Sequence, residues 1–166
     1  MTTPIIILSL LCSPLLVAFL FSKVTKAPLH VGSCAFWGLG LAFIFFSIGH
    51  FVKTEGMIQM LPSWAPYRGG IIYLTGMLEL LVGILLFLPK WQKNAAKVAI
   101  VILIAFFPAN IYSALNSVGL GGHQWGAIYL LIRAPLQIIL VVWAYFLCVK
   151  SHDKVLNPIG HKVEPI

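Results

Sequence analysis

The stretch "YLLIRAPLQIILVVWAYFLCVK", Tyr129–Lys150, decides the class of this chain. It is long and apolar enough to cross the roughly 30 Å of bilayer hydrocarbon. It also carries Arg133 near one end, with Gln137 one turn later. A cation at membrane depth is costly unless a partner or a polar cavity answers it. The partner has to come from another apolar span.

Composition agrees with a membrane setting. Of 166 residues, 60% are hydrophobic and 9% charged, and mean hydropathy is +0.99. Water-soluble domains carry about a quarter of their residues as charges. The chain therefore reads as an integral membrane protein, and its length suits one domain. The net charge of +7 comes from eleven Lys and Arg lying mostly between apolar spans. That placement sets topology and attracts anionic lipid heads; it is not the massed basic patch of a nucleic-acid binder. Cys12, Cys34 and Cys148 sit in or at the ends of apolar spans without Cys-x-x-Cys spacing, so no disulfide framework or metal site is indicated.

Five apolar stretches follow one another: Ile5–Phe21, broken by Pro14, then Val31–Val52, Ile71–Leu88, Val98–Leu115 and Gly126–Val149. No internal repeat or low-complexity segment appears. The first lacks a positive leader in "MTTP" and is followed by "SKVTK" where a cleavage site belongs, so it reads as a retained helix and not a signal peptide. Alternating sides places Lys23, Lys26, Lys90, Lys93, Lys97, Lys150, Lys154 and Lys162 on one face, and only Lys53 and Arg68 on the other. The positive-inside bias then puts the N-terminus outside and the C-terminus in the cytoplasm. Three segments result: 1–30, a membrane helix with its connection; 31–149, a four-helix membrane bundle; and 150–166, a polar cytoplasmic tail.

The outer connection "KTEGMIQMLPSWAPYRGG", residues 53–70, holds Met57, Ile58, Met60, Leu61 and Trp64. A short interfacial helix ended by Pro62 and Pro66 is expected there, either as an anchor or as a lid. Trp64 and Tyr67 are placed as interfacial aromatics.

Depth along the spans brings the polar residues together. Arg133 lies roughly 10 Å below the outer end of its span, Glu79 roughly 12 Å and Asn110 roughly 8 Å, at 1.5 Å per residue. His50 sits just inside the outer end of the second span. Glu79 is the one carboxylate in any span, so the depth match pairs it with Arg133. The guanidinium has five donors, leaving some for Asn110, Gln137 or a ligand. Pro108, two residues before Asn110, frees a carbonyl one turn earlier and shapes the interior. Such a pair can also serve only to fix the register of a bundle.

These residues sit in motifs that resemble one family. "GHF" at Gly49–Phe51, "MIQMLPSWAP" at Met57–Pro66, "YLTGMLELLVGILLFLP" at Tyr73–Pro89, "FPANIY" at Phe107–Tyr112 and "RAPLQ" at Arg133–Gln137 together resemble the DoxX / DoxX-like family of small bacterial membrane proteins. The resemblance runs from about Phe36 to Val149. It implies an all-α fold, a DoxX-like four-helix transmembrane bundle in the bacterial inner membrane, from which this chain departs by one extra N-terminal membrane helix. The motif residues carried over are His50, Pro62, Glu79, Pro108, Asn110, Arg133 and Gln137. The family's association is with quinone-linked sulfur oxidation; distant relatives of similar architecture resemble chaperones or lipid-binding proteins.

Two functions follow as expectations. One is an accessory subunit of a redox or respiratory system, binding a quinone-like or other lipid ligand in an outer-leaflet polar pocket. There His50, Glu79, Asn110, Arg133 and Gln137 hold the polar end, while Phe51, Trp64 and Tyr112 pack the body. In quinone chemistry His50 or Glu79 would move the accompanying proton. Whether any reaction is catalysed, and with which cofactor, is left open; quinone is the one candidate. The alternative is a non-catalytic assembly factor or chaperone for another membrane protein. Membrane lipids and a redox or other membrane protein are the expected partners, nucleic acid is not, and no metal is expected. Haem would need facing histidines, which only His50 and His123 could supply.

Overall fold

A computed structural model describes residues 2–26, 28, 30–118 and 123–150. The fold is all-α, with no strand among the described residues. The helices are α1 (Thr3–Thr25), α2 (Val31–Val52), the short α3 (Thr54–Gln59), α4 (Arg68–Leu85) and α5 (Gln92–Leu115). A 3-10 segment, His123–Tyr129, leads into α6 (Leu130–Trp143), which closes in a π turn over Ala144–Lys150. Five stretches are long and apolar enough to span a membrane: α1, α2, α4, α5 and Trp125–Lys150. Leu16, Val17 and Phe21 on α1, Leu74 and Met77 on α4 and Val101 on α5 all expose most of their surface. In water such faces would associate, whereas in a bilayer they meet acyl chains. The protein is a multi-pass helical membrane protein.

The core forms around α2. Phe36, Leu39 and Phe43 of α2 are buried with Ile7 and Leu11 of α1, Val82 of α4 and Leu86 just beyond it. From α5, the small side chains of Ala95, Ala96 and Ala99 face the same cluster, with Leu140, Ala144 and Cys148 from the last span. Small residues let membrane helices approach closely, where packing and not water exclusion holds them together. Trp143 adds a cross-helix tie, its Nε1 donating to the Ala35 carbonyl at 3.1 Å. Helices α2 and α4 run antiparallel, with Gly76 opposite His50 and Gly83 opposite Ile44 and Gly40.

Pro14 was expected to break the first span, yet α1 is continuous from Thr3 to Thr25. Proline has no N–H, so it leaves the Leu10 carbonyl without its helical donor. The neighbouring Ser13 supplies one, its Oγ donating to Leu10 O at 3.1 Å. Ser13→Ala is therefore expected to cost about 1 kcal/mol, measured as a shift in reversible unfolding in mixed micelles. The helix also joins the bundle. A Cβ at Gly38 would collide with the backbone carbonyl of Leu11, so only glycine permits this crossing of α1 and α2.

Other boundaries moved for identifiable reasons. Helix α5 begins at Gln92, ahead of the expected Val98, because its first two turns hold good helix formers and bury Gln92, Ala95 and Ala96. Helix α4 likewise begins at Arg68, ahead of the expected Ile71. The interfacial helix is only Thr54–Gln59: Pro62 disfavours helical backbone at Leu61, and the chain turns there instead. Trp64 and Tyr67 beyond it are 81% and 91% exposed. The glycine loop 119–122, the side chain of His123 and the tail 151–166 lie outside the described residues.

Candidate functional site

The polar side chains gather at the end of the bundle where α2 finishes and α4 begins. On α4, Ile72, Thr75, Gly76 and Glu79 recur at helical spacing and line one face. His50, in the last turn of α2, lies along that stripe. Its Nδ1 is 3.1 Å from the Ile72 carbonyl and 3.2 Å from Thr75 Oγ1. Its Nε2 is 3.2 Å from Oε2 of Glu79. The Thr75 hydroxyl donates to Ile72 O at 3.0 Å.

Gly76 is what makes room for the ring. A Cβ at that position would stand 2.7 Å from His50 Cβ and 3.3 Å from its Cγ. Neither atom is the free end of a flexible chain, so any side chain at position 76 would push the two backbones apart. Sequence spacing offered a signal here: a glycine three residues before the only intramembrane carboxylate leaves a recess over that face of α4.

The expected Glu79–Arg133 ion pair is not what forms. Among the described residues, the ion pair of Glu79 is with His50. Helix α4 packs on α2, α3 and α5, and α6 packs on α1, α5, the 3-10 segment and the π turn. Matching depth therefore brought the two charges within electrostatic range but not into ion-pair contact, and the imidazole occupies the recess over Gly76. Glu79 itself is only 5% exposed. Its Oε2 contacts Nε2 at ion-pair distance but has no aligned hydrogen-bond donor.

Arg133 stands close by, within electrostatic range of both Glu79 and Tyr129. Its Nε is buried without a hydrogen-bond partner, while the residue as a whole keeps part of its surface exposed. Tyr129, one turn before it and 1% exposed, is a neighbour that motif reading passed over. A Tyr–x–x–x–Arg spacing on a helical span was the available signal.

Asn110 and Gln137 were expected to take up the spare donors of Arg133. Both are buried, but both serve helix α5 instead. Asn110 Nδ2 donates to Phe106 O of its own helix at 3.1 Å. Gln137 Nε2 donates across to the Leu103 carbonyl. That acceptor adjoins Ile104, whose carbonyl loses its helical donor at Pro108. Gln137 thus ties α6 to the proline-weakened part of α5.

Of the aromatic residues, Phe51 packs on Tyr73 with ring centres 6.1 Å apart, Tyr112 is partly buried on α5, and Trp64 projects from the 53–67 connection. Helix α3 folds back on α2, bringing the Met57 methyl to 3.3 Å from where a Gly49 Cβ would stand. Two open concavities lie off the cluster. One is a groove open to lipid between α1 and α2, lined by Pro14, Val17, Phe21, Cys34 and Trp37. The other is a shallow depression at Val52, Lys53, Thr54, Glu55 and Gly56. Among the described residues no three His, Cys, Asp or Glu side chains converge.

Fold and site together define a multi-pass helical membrane protein with an ionisable cluster buried at one end. The chain belongs to the family described as Domain of unknown function (DUF8561), whose model matches residues 39–148. That span includes His50, Glu79, Asn110, Arg133 and Gln137 and leaves out α1. No curated protein and no solved structure matches the chain.

Proposed function

We propose that this is a DoxX-like protein of the bacterial inner membrane, an accessory subunit of a redox or respiratory system. Its N-terminus lies outside and its C-terminus in the cytoplasm, so the His50–Glu79–Arg133 cluster faces the outer leaflet. There the cluster receives the oxygen-bearing head of a quinone-like or other lipid ligand. One observation carries this reading: the buried Nε of Arg133 has no acceptor, beside a Glu79 Oε2 with no aligned donor. Buried polar atoms without partners are rare, and one common reason is a missing water, ion or ligand. Arg133 is the group best able to hold acceptor oxygens, with the His50–Glu79 pair behind it as a polar wall.

Native mass spectrometry after gentle extraction tests the proposal. Wild type is expected to retain a quinone or another lipid, and Arg133→Gln to lose about 90% of it at unchanged yield, since a charge-assisted hydrogen bond is worth about 1.5–3 kcal/mol. Equal retention by both forms would remove the site from the account.

The location of the concavities off the cluster favours a second reading, a non-catalytic assembly factor or chaperone whose charges only hold the bundle together. Co-purification of one stoichiometric membrane protein, lost on changing exposed helix faces and kept in Arg133→Gln, would select it.

A further inference from the structure

The charges around Arg133 limit what its ligand can be. The chain has four acidic residues: Glu55, Glu79, Asp153 and Glu164. Glu55 is exposed on α3, and Asp153 and Glu164 belong to the tail outside the described residues. Only Glu79 stands inside a membrane span, and it is engaged by His50.

The hydrogen bonds of His50 fix where its ring meets Glu79. Its Nδ1 faces the Ile72 carbonyl at 3.1 Å, an oxygen with no proton to give, so Nδ1 carries the hydrogen. Thr75 does not reverse this assignment, because its hydroxyl has the same carbonyl as acceptor at 3.0 Å. His50 Nε2 stands 3.2 Å from Glu79 Oε2, so the ion-pair contact of this carboxylate is with the imidazole. Arg133 keeps a buried Nε without an acceptor and, among the described residues, has no carboxylate at ion-pair distance.

We infer that the ligand of this site presents an oxyanion to Arg133, the phosphate or carboxylate of an acidic amphiphile. The inference rests on the ligand reading above and narrows it. A neutral head would leave the guanidinium without an ion-pair partner, and a cationic head would repel it. An oxyanion cancels the charge and matches the planar guanidinium fork, which the exposed part of Arg133 leaves within reach of the lipid phase. In this arrangement His50 is a positioning residue. It acts through Glu79, which it holds out of ion-pair contact with Arg133.

The test uses the full chain in vesicles of equal parts phosphatidylglycerol and phosphatidylcholine, extracted gently and weighed by native mass spectrometry. Wild type is expected to retain phosphatidylglycerol about ten-fold over phosphatidylcholine. Arg133→Gln is expected to lose that preference and Arg133→Lys to keep part of it. His50→Gln is expected to lower it as well, because the released Glu79 carboxylate then turns to Arg133; Glu79→Gln is expected to raise it. Competition by inorganic phosphate would show that the site reads the oxyanion alone, and resistance to it would show that the acyl chains also count; both support the assignment. Equal retention of the two lipids, both falling in Arg133→Gln, would overturn the oxyanion and leave the ligand reading standing. Unchanged preference in His50→Gln would overturn the positioning role of His50. Retention of neither lipid nor any other ligand would remove both.

Discussion

Gly76→Leu is expected to destabilise the protein by about 3 kcal/mol or more, the largest effect of any single change near the cluster. The reason is geometric. The first carbon of any side chain at position 76 would enter the space held by His50 Cβ and Cγ, at 2.7 and 3.3 Å. Relief requires α2 and α4 to separate along their main contact, and His50 would leave Glu79 behind as it moved. A smaller step should show in Gly76→Ala, and Gly32→Leu supplies the control, since a Cβ there would meet nothing within 4 Å. Reversible unfolding in mixed micelles would rank the three. Equal stability of the two leucine variants would contradict the close packing of His50 on α4.

Gly38→Leu should release α1. Its Cβ would overlap the Leu11 backbone, which cannot swing aside as a side-chain end can. Ile7 and Leu11, both fully buried, would lose their places against Phe36 and Leu39. The expected loss is again about 3 kcal/mol, on the scale of opening a core contact. A protease site placed in the 26–30 connection gives a direct readout. After cleavage, α1 should co-purify with the other spans in the parent protein and be lost from Gly38→Leu. Retention of α1 in both would mean that the crossing does not hold it.

How much of this was legible in the sequence differs by layer. Hydropathy located all five spans, because apolar length is what a bilayer demands and little else satisfies it. Pro14 misled, since a proline reads as a break until the neighbouring hydroxyl on Leu10 O is seen. The π turn at Ala144–Lys150 had no sequence signal to announce it. For the site, counting depth collected the right residues but joined the wrong two. Depth fixes position along the membrane normal and says nothing about which helices touch. Glu79 and Arg133 belong to helices that both pack on α5, yet Gly76 opens α4 to His50, which takes the ion-pair contact of Glu79. The amides were drawn the same way to Arg133, and the structure gives them to the backbone of α5.

The contact between His50 and Glu79 underlies the whole account, and solid-state NMR in lipid bilayers measures it directly. With histidine labelled in its ring nitrogens and glutamate in its carboxyl carbon, dipolar recoupling should give a strong coupling between His50 Nε2 and the Glu79 carboxyl, with His50 Nδ1 protonated. Loss of that coupling in Glu79→Gln, whose side chain goes unlabelled, would complete the assignment. A Glu79 carboxyl coupled instead to the Arg133 guanidinium, with the His50 ring free of both, would contradict it.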